Sequence, residues 1–172
     1  MIKHAEKKDM DSIMALCQAV IQDMLVRGID QWDALYPTRE VFAEDIEAGT
    51  LYALRHEAKI LGLIVLNQQQ EPEYKTVNWR IKAEPVGIIH RLMVHPCTQG
   101  QGIASTLLDF AENLALQNGI AAMRLDVFKQ NPAAVRLYEK RGYQRAGSVQ
   151  FRKGEFFCME KLLTNEINVL KG

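Results

Sequence analysis

Cysteine is scarce in this chain of 172 residues: Cys17, Cys97 and Cys158 are odd in number and far apart. No two of them have metal-ligand spacing, so a disulfide framework and a cysteine-rich metal site are both excluded. Thiols used this sparingly fit a reducing compartment. An excess of either charge is also lacking, with 21 basic and 21 acidic residues. The electrostatic footprint of a nucleic-acid binder or of an anionic-membrane binder is therefore missing. No apolar run approaches the roughly 20 residues of a membrane span. The opening, MIKHAEKKDMDS, is polar and charged, without the apolar stretch of a secretory signal. The expectation is a cytoplasmic protein. Neither an internal repeat nor a long linker nor a second domain is visible, and 48% hydrophobic residues are enough for one sizeable core.

What is present is periodic. IKHA fits a short strand. From about Asp9, the residues Ile13, Leu16, Cys17, Val20, Ile21 and Met24 recur at helical spacing, with Gly28 as a stop. Thr38 is suited to cap a second, short helix ending near Gly49. Residues 50–56 and 59–66 read as two strands around a tight turn at Glu57-Ala58. QQQEPEYK, 68–75, reads as a mobile polar loop, and TVNWRIK as a short strand or more of that loop. GIIHRLMV, 87–94, is a buried-strand pattern. A helix follows over about 100–117, closed by Asn118-Gly119, and then a strand over 122–128. Asn131-Pro132 joins a good N-cap to a residue favoured at the first helical position; Gly142 ends that helix. YQRAGSVQF and EFFCMEKLL form a closing hairpin around Lys153-Gly154. This order predicts one α/β domain over 1–163, a mixed sheet with helices on both faces, and a polar tail over 164–172.

The stretch HPCTQGQGIASTLL places Gly100 and Gly102 where a helix begins, at a cost in chain entropy. A ligand that must approach the backbone is one good reason to accept that cost. The first N–H groups of a helix have no partner within it, and the helix dipole favours an anion there. Pyrophosphate fits such a site. Three patterns compete for it. A P-loop needs a lysine that this turn lacks. A dinucleotide fingerprint needs a third glycine where Ser105 stands, although Asp126, near the end of the next strand, has the spacing of a ribose-binding acid. The third pattern is [Q/R]-x-x-G-x-[G/A], supplied by Gln99, Gly102 and Ala104 after the strand HRLMVHP. Downstream, NPAAVRLYEKRGY gives an asparagine followed by a helix that carries a tyrosine and ends at Gly-Tyr. Together these two motifs resemble the Gcn5-related N-acetyltransferase (GNAT) family, and the order of elements agrees over nearly the whole chain.

The resemblance implies a mostly antiparallel sheet with a splayed central strand pair, and acetyl-CoA as co-substrate without a metal. It implies that main-chain groups over Gln99, Gly100, Gln101, Gly102, Ile103, Ala104 and Ser105 hold the pyrophosphate. The strand Leu92, Met93 and Val94 would pair with the pantetheine arm, and Asn131 would contact the cofactor. Tyr138 would protonate the leaving thiolate. Gln31, Trp32 and Tyr36, in the turn-rich GIDQWDALYP, would wall the acceptor pocket. The acceptor is then an amine of a small molecule or peptide, and direct transfer needs little beyond placement and proton traffic. His90 titrates in the range of a general base. Each of these residues has a plainer alternative. Tyr138 serves equally as a core aromatic, His90 as a sheet histidine, Asn131 as an N-cap, and GIDQWDALYP as a hydrophobic plug. His95 reads as a strand-end turn residue and Cys97 as a loop residue. Strand alternation directs Arg91 away from the face of His90. Two other functions stay open at this level: a nucleotide-binding oxidoreductase on a Rossmann-like unit, and a non-catalytic acyl-CoA sensor. An exposed sheet edge or the C-terminal strands would allow a homodimer.

Overall fold

Helix α1 (Met10–Val26) buries Ile13, Leu16, Cys17, Val20, Ile21 and Met24, the positions that the spacing picks out. A fully buried aliphatic side chain contributes about 1.5–3 kcal/mol. A β-branched residue costs a helix only roughly 0.5 kcal/mol, so the buried face decides α1. Helix α2 (Arg39–Glu47) opens on Thr38, whose hydroxyl accepts from the Val41 N–H at 3.4 Å. The remaining elements are β1 (Ile2–His4), β2 (Leu51–His56), β3 (Lys59–Asn67), β4 (Val86–Val94), α3 (Ile103–Gln117), β5 (Ala122–Phe128), α4 (Pro132–Lys140), β6 (Gln144–Phe151) and β7 (Gly154–Leu162). These come from a computed structural model that describes residues 1–163; the polar tail expected over 164–172 lies outside the described residues.

The strands form one seven-stranded sheet in the order β1-β2-β3-β4-β5-β7-β6. The chain divides into two compact units. The first comprises Met1–Leu66 and His90–Ala111, and the second takes Asn67–Ile89 and the described residues from Glu112. In the first unit β1 pairs antiparallel with β2, and β2 with β3. Gly62 of β3 lies so close to its neighbours that a Cβ there would stand 2.9 Å from the Met93 carbonyl oxygen and 2.9 Å from Leu107. Only glycine permits that approach of backbone to backbone.

In the second unit β5 pairs antiparallel with β7 along its whole length, and β7 with β6. The parallel ladder between β4 and β5 joins Val86–Ile88 to Ala122–Arg124 and ends there. That ladder lies wholly within the second unit, on the first residues of β4. A sheet paired mostly antiparallel, with a single short parallel ladder, is not a doubly wound parallel sheet. The oxidoreductase alternative loses its scaffold.

Two expectations need correction. Helix α3 starts at Ile103, so both glycines precede it instead of occupying its first turn. The segment read as a mobile loop, 68–75, and the undecided TVNWRIK form no strand and are held at many points. Tyr74 and Trp79 are buried, and the Trp79 indole N–H donates to the Tyr74 carbonyl at 3.0 Å. The Arg80 and Ile81 N–H groups donate to the Glu160 carboxylate at 3.0 and 2.8 Å. Arg124 stacks 4.3 Å over the Trp79 ring and donates to Gln70 at 2.7 Å. Polar composition concealed two aromatic anchors.

Candidate active site

After β4, His95 caps a single turn over Pro96–Thr98, its Nδ1 accepting from the Cys97 N–H at 3.2 Å. His95 and Cys97 are thus turn residues. The chain then passes through Gly100 at φ 77° and Gly102 at φ 79°. This is the left-handed region that a Cβ penalises. Nothing lies within 4 Å of where a Cβ would stand at either glycine. Conformation, and not crowding by the rest of the protein, calls for glycine here, and the space above the turn is open. Among the described residues no acceptor takes the N–H groups of residues 100–105. That fan of unpaired N–H groups at the start of a helix of 15 residues has the chemistry that holds a pyrophosphate.

The strand that leads into this turn is kinked. Arg91 has φ 45°, so the pleat is broken there and strict alternation from His90 does not carry past it. The Arg91 side chain is only 10% exposed, as is that of Asp45 on α2. Nε of Arg91 donates to Asp45 at 3.0 Å, and Nη2 to both carboxylate oxygens at 2.6 Å. Nη1 donates to the Tyr36 hydroxyl at 2.7 Å. Burial raises the Asp45 carboxyl above its usual range while the Arg91 charge pulls it back. His90 is half-buried, one residue before the kink, and Leu92 and Val94 are half-buried beyond it, with Met93 buried between them. Gln31 and Trp32 are half-buried and Tyr36 is 37% exposed. The first unit therefore carries the glycine turn, the kinked end of β4 from His90 onward and the whole of GIDQWDALYP.

Asn131 and Tyr138 belong to the second unit. Asn131 caps α4, accepting from the Ala134 N–H at 3.3 Å, and Pro132 takes the first helical position. Tyr138 is buried and meets the Tyr143 ring edge-on at 5.8 Å. Among the described residues no hydrogen bond is made at its hydroxyl. Burial, and then the Asp126 carboxylate, raise its phenol above the ordinary value of 10.0. Asp126 accepts from the Tyr74 hydroxyl at 2.7 Å and lies opposite Cys158 on β7. Burial and Asp126 push the Cys158 thiol up to about 12; burial pushes Cys17 up to about 11.

Three of these residues are not site candidates in the sequence: strand alternation sets Arg91 opposite His90 without giving it a role, Asp45 is not singled out, and Asp126 enters only as a ribose-binding acid. The available signal for Arg91 and Asp126 was a charge inside an apolar strand, which demands a partner. Among the described residues no helix is long and apolar enough to cross a membrane. Nor do three or more His, Cys, Asp or Glu residues gather to hold a metal ion.

The family model for the Acetyltransferase (GNAT) family matches residues 15–143. The chain is 30% identical to the aminoalkylphosphonate N-acetyltransferase of Salmonella typhimurium, over 84% of this chain and 85% of that protein. It is 22% identical to the S-(2-succino)cysteine N-acetyltransferase of Bacillus subtilis, over 95% and 96%. A solved GNAT-family acetyltransferase from Streptococcus agalactiae superposes with a TM-score of 0.85 at 22% identity, covering 96% of each chain. A parallel pair in a mostly antiparallel sheet, a glycine turn whose N–H groups have no acceptor among the described residues, and a family match over most of the sequence agree: the chain belongs to the GNAT acetyltransferase family.

Proposed function

We propose that this chain transfers the acetyl group of acetyl-CoA to a primary amine of a small molecule or peptide, directly, in a ternary complex. The observation that carries the reading is the open fan of N–H groups over residues 100–105, in a chain of this family. Main-chain groups from Gln99 to Ser105 hold the pyrophosphate. Leu92 and Val94, flanking Met93, offer their backbone as a strand edge to the pantetheine arm, and one of their N–H groups polarises the thioester carbonyl. His90 takes the proton of the acceptor ammonium, directly or through water. Tyr138 gives its proton to the thiolate as the carbon–sulfur bond breaks. A raised phenol with no hydrogen-bond partner among the described residues suits that role, because it holds its proton until the thiolate forms. Asn131 contacts the cofactor in addition to capping α4. Gln31, Trp32 and Tyr36 line the acceptor side.

The two curated relatives act, by their names, on an aminoalkylphosphonate and on an S-substituted cysteine. Both are amines that also carry acid groups, which supports an amine of that class as acceptor. The test is thiol release from acetyl-CoA across a panel of amino acids, S-substituted cysteines, aminoalkylphosphonates and short peptides. Release above the amine-free rate with at least one class is expected. Binding of CoA with no release from any amine would leave a non-catalytic acyl-CoA sensor.

A further inference from the structure

We propose that Arg91 is a positioning residue that ties the loop of residues 29–37 to the cofactor strand, so that one guanidinium sets both halves of the site carried by the first unit. The inference rests on the acetyltransferase reading for the roles of loop and strand. It rests on the geometry alone for the tie itself.

Three observations carry it. A left-handed φ of 45° in the middle of β4 is costly for a side chain with a Cβ, and the kink persists because something holds it. Arg91 is gripped through three of its nitrogens, two on Asp45 and one on Tyr36. The rigid fork of a guanidinium makes that geometry, and a lysine, with a single nitrogen, does not. Tyr36 in turn does not hang loosely. Its carbonyl accepts from Asp33 N–H at 3.0 Å, and the Asp33 carboxylate accepts from Leu35 N–H at 2.9 Å. A hold on Tyr36 is therefore a hold on the closed turn that contains it and follows Trp32. On the other side, Leu92 is the next residue in the chain. The direction in which the backbone leaves Arg91 decides where the N–H groups of Leu92 and Val94 point. Through the Tyr36 hydroxyl, which accepts from Arg91, the guanidinium places the loop that lines the acceptor side.

The test uses the full chain with Tyr36→Phe and Arg91→Lys. Iodide quenching reports Trp32, which is half-buried, whereas Trp79 is only 5% exposed and shielded from iodide. Calorimetry gives the CoA dissociation constant, and the amine that the parent uses best gives KM. Tyr36→Phe should raise Trp32 quenching and raise the amine KM about three- to tenfold, as expected for one lost hydrogen bond, with CoA affinity unchanged. Arg91→Lys should do both and also weaken CoA about tenfold, because the kink is released as well. The proposal is overturned if Tyr36→Phe leaves Trp32 quenching at the parental value, or if it weakens CoA as much as it raises the amine KM. Parental CoA affinity in folded Arg91→Lys overturns it too. Should Arg91→Lys fail to fold, Tyr36→Phe decides alone. A parent that binds no CoA would sink the acetyltransferase reading instead, while Trp32 quenching would still decide the tie.

Discussion

At the scale of single residues, Tyr138 carries the sharpest expectation. Tyr138→Phe removes one hydroxyl and keeps the ring packed on Tyr143. Turnover should fall by about 10²-fold, the low end for a lost general acid, since a thiolate is already a fair leaving group. CoA affinity should change much less, because the lost interaction strengthens only in the transition state. The pH profile follows from the raised phenol. Burial and the Asp126 carboxylate keep it protonated beyond its ordinary 10.0, so the parent should show no loss of rate from Tyr138 ionisation up to about pH 10. The acid limb, set by the base that accepts the ammonium proton, should persist in the variant. Parental turnover in Tyr138→Phe, with chemistry rate-limiting, would leave Tyr138 as a core residue. Asp126 shows how such a residue is concealed. Its charge inside RLDVF was visible, but the tyrosines that it meets lie 52 residues before it and 12 after it.

At the scale of elements, the glycine turn separates conformation from binding. Gly28 and Gly102 share a left-handed φ, 77° and 79°, and both have open space where a Cβ would stand. Gly28→Ala and Gly102→Ala should therefore lower stability alike, by roughly 1–2 kcal/mol, read as similar drops in urea midpoint. Only the change at 102 should weaken CoA binding. Gly102→Glu adds a negative charge among the N–H groups and should raise the CoA dissociation constant more than about tenfold, beyond Gly102→Ala. A folded Gly102→Glu with parental affinity would move the phosphate site elsewhere. The caps of α2 and α4 are legible because each is local: Thr38 and Asn131 cap as their residue types predict, whereas the start of α3 is displaced past both glycines. The stretch 67–85 was not legible, because its hold comes from buried Tyr74 and Trp79 and from Glu160 far along the chain.

At the scale of the whole molecule, acid stability has a named contributor. Asp9, before α1, accepts hydrogen bonds from Arg55 on β2, and these hold its carboxyl below the ordinary value of 3.8. A carboxyl lowered on folding binds fewer protons in the folded state than in the unfolded one. Its stabilisation is therefore present above 3.8 and is lost as pH falls through the lower folded value. Asp9→Asn should reduce the urea midpoint at pH 7 and narrow the difference between pH 7 and pH 3; an unchanged midpoint at pH 7 would show that the pair contributes nothing. The sequence by itself determined the order of elements, the buried face of α1, the glycine turn and the family motif. Each of these is written as a period or a spacing within some 20 residues, and local backbone energetics enforce it. The tertiary structure alone decided the kink at Arg91 and its partners, Asp45 and Tyr36, 46 and 55 residues away. A buried charge announces in the sequence only that it needs a partner; which partner it finds is settled when distant segments pack and the charge must be compensated out of water.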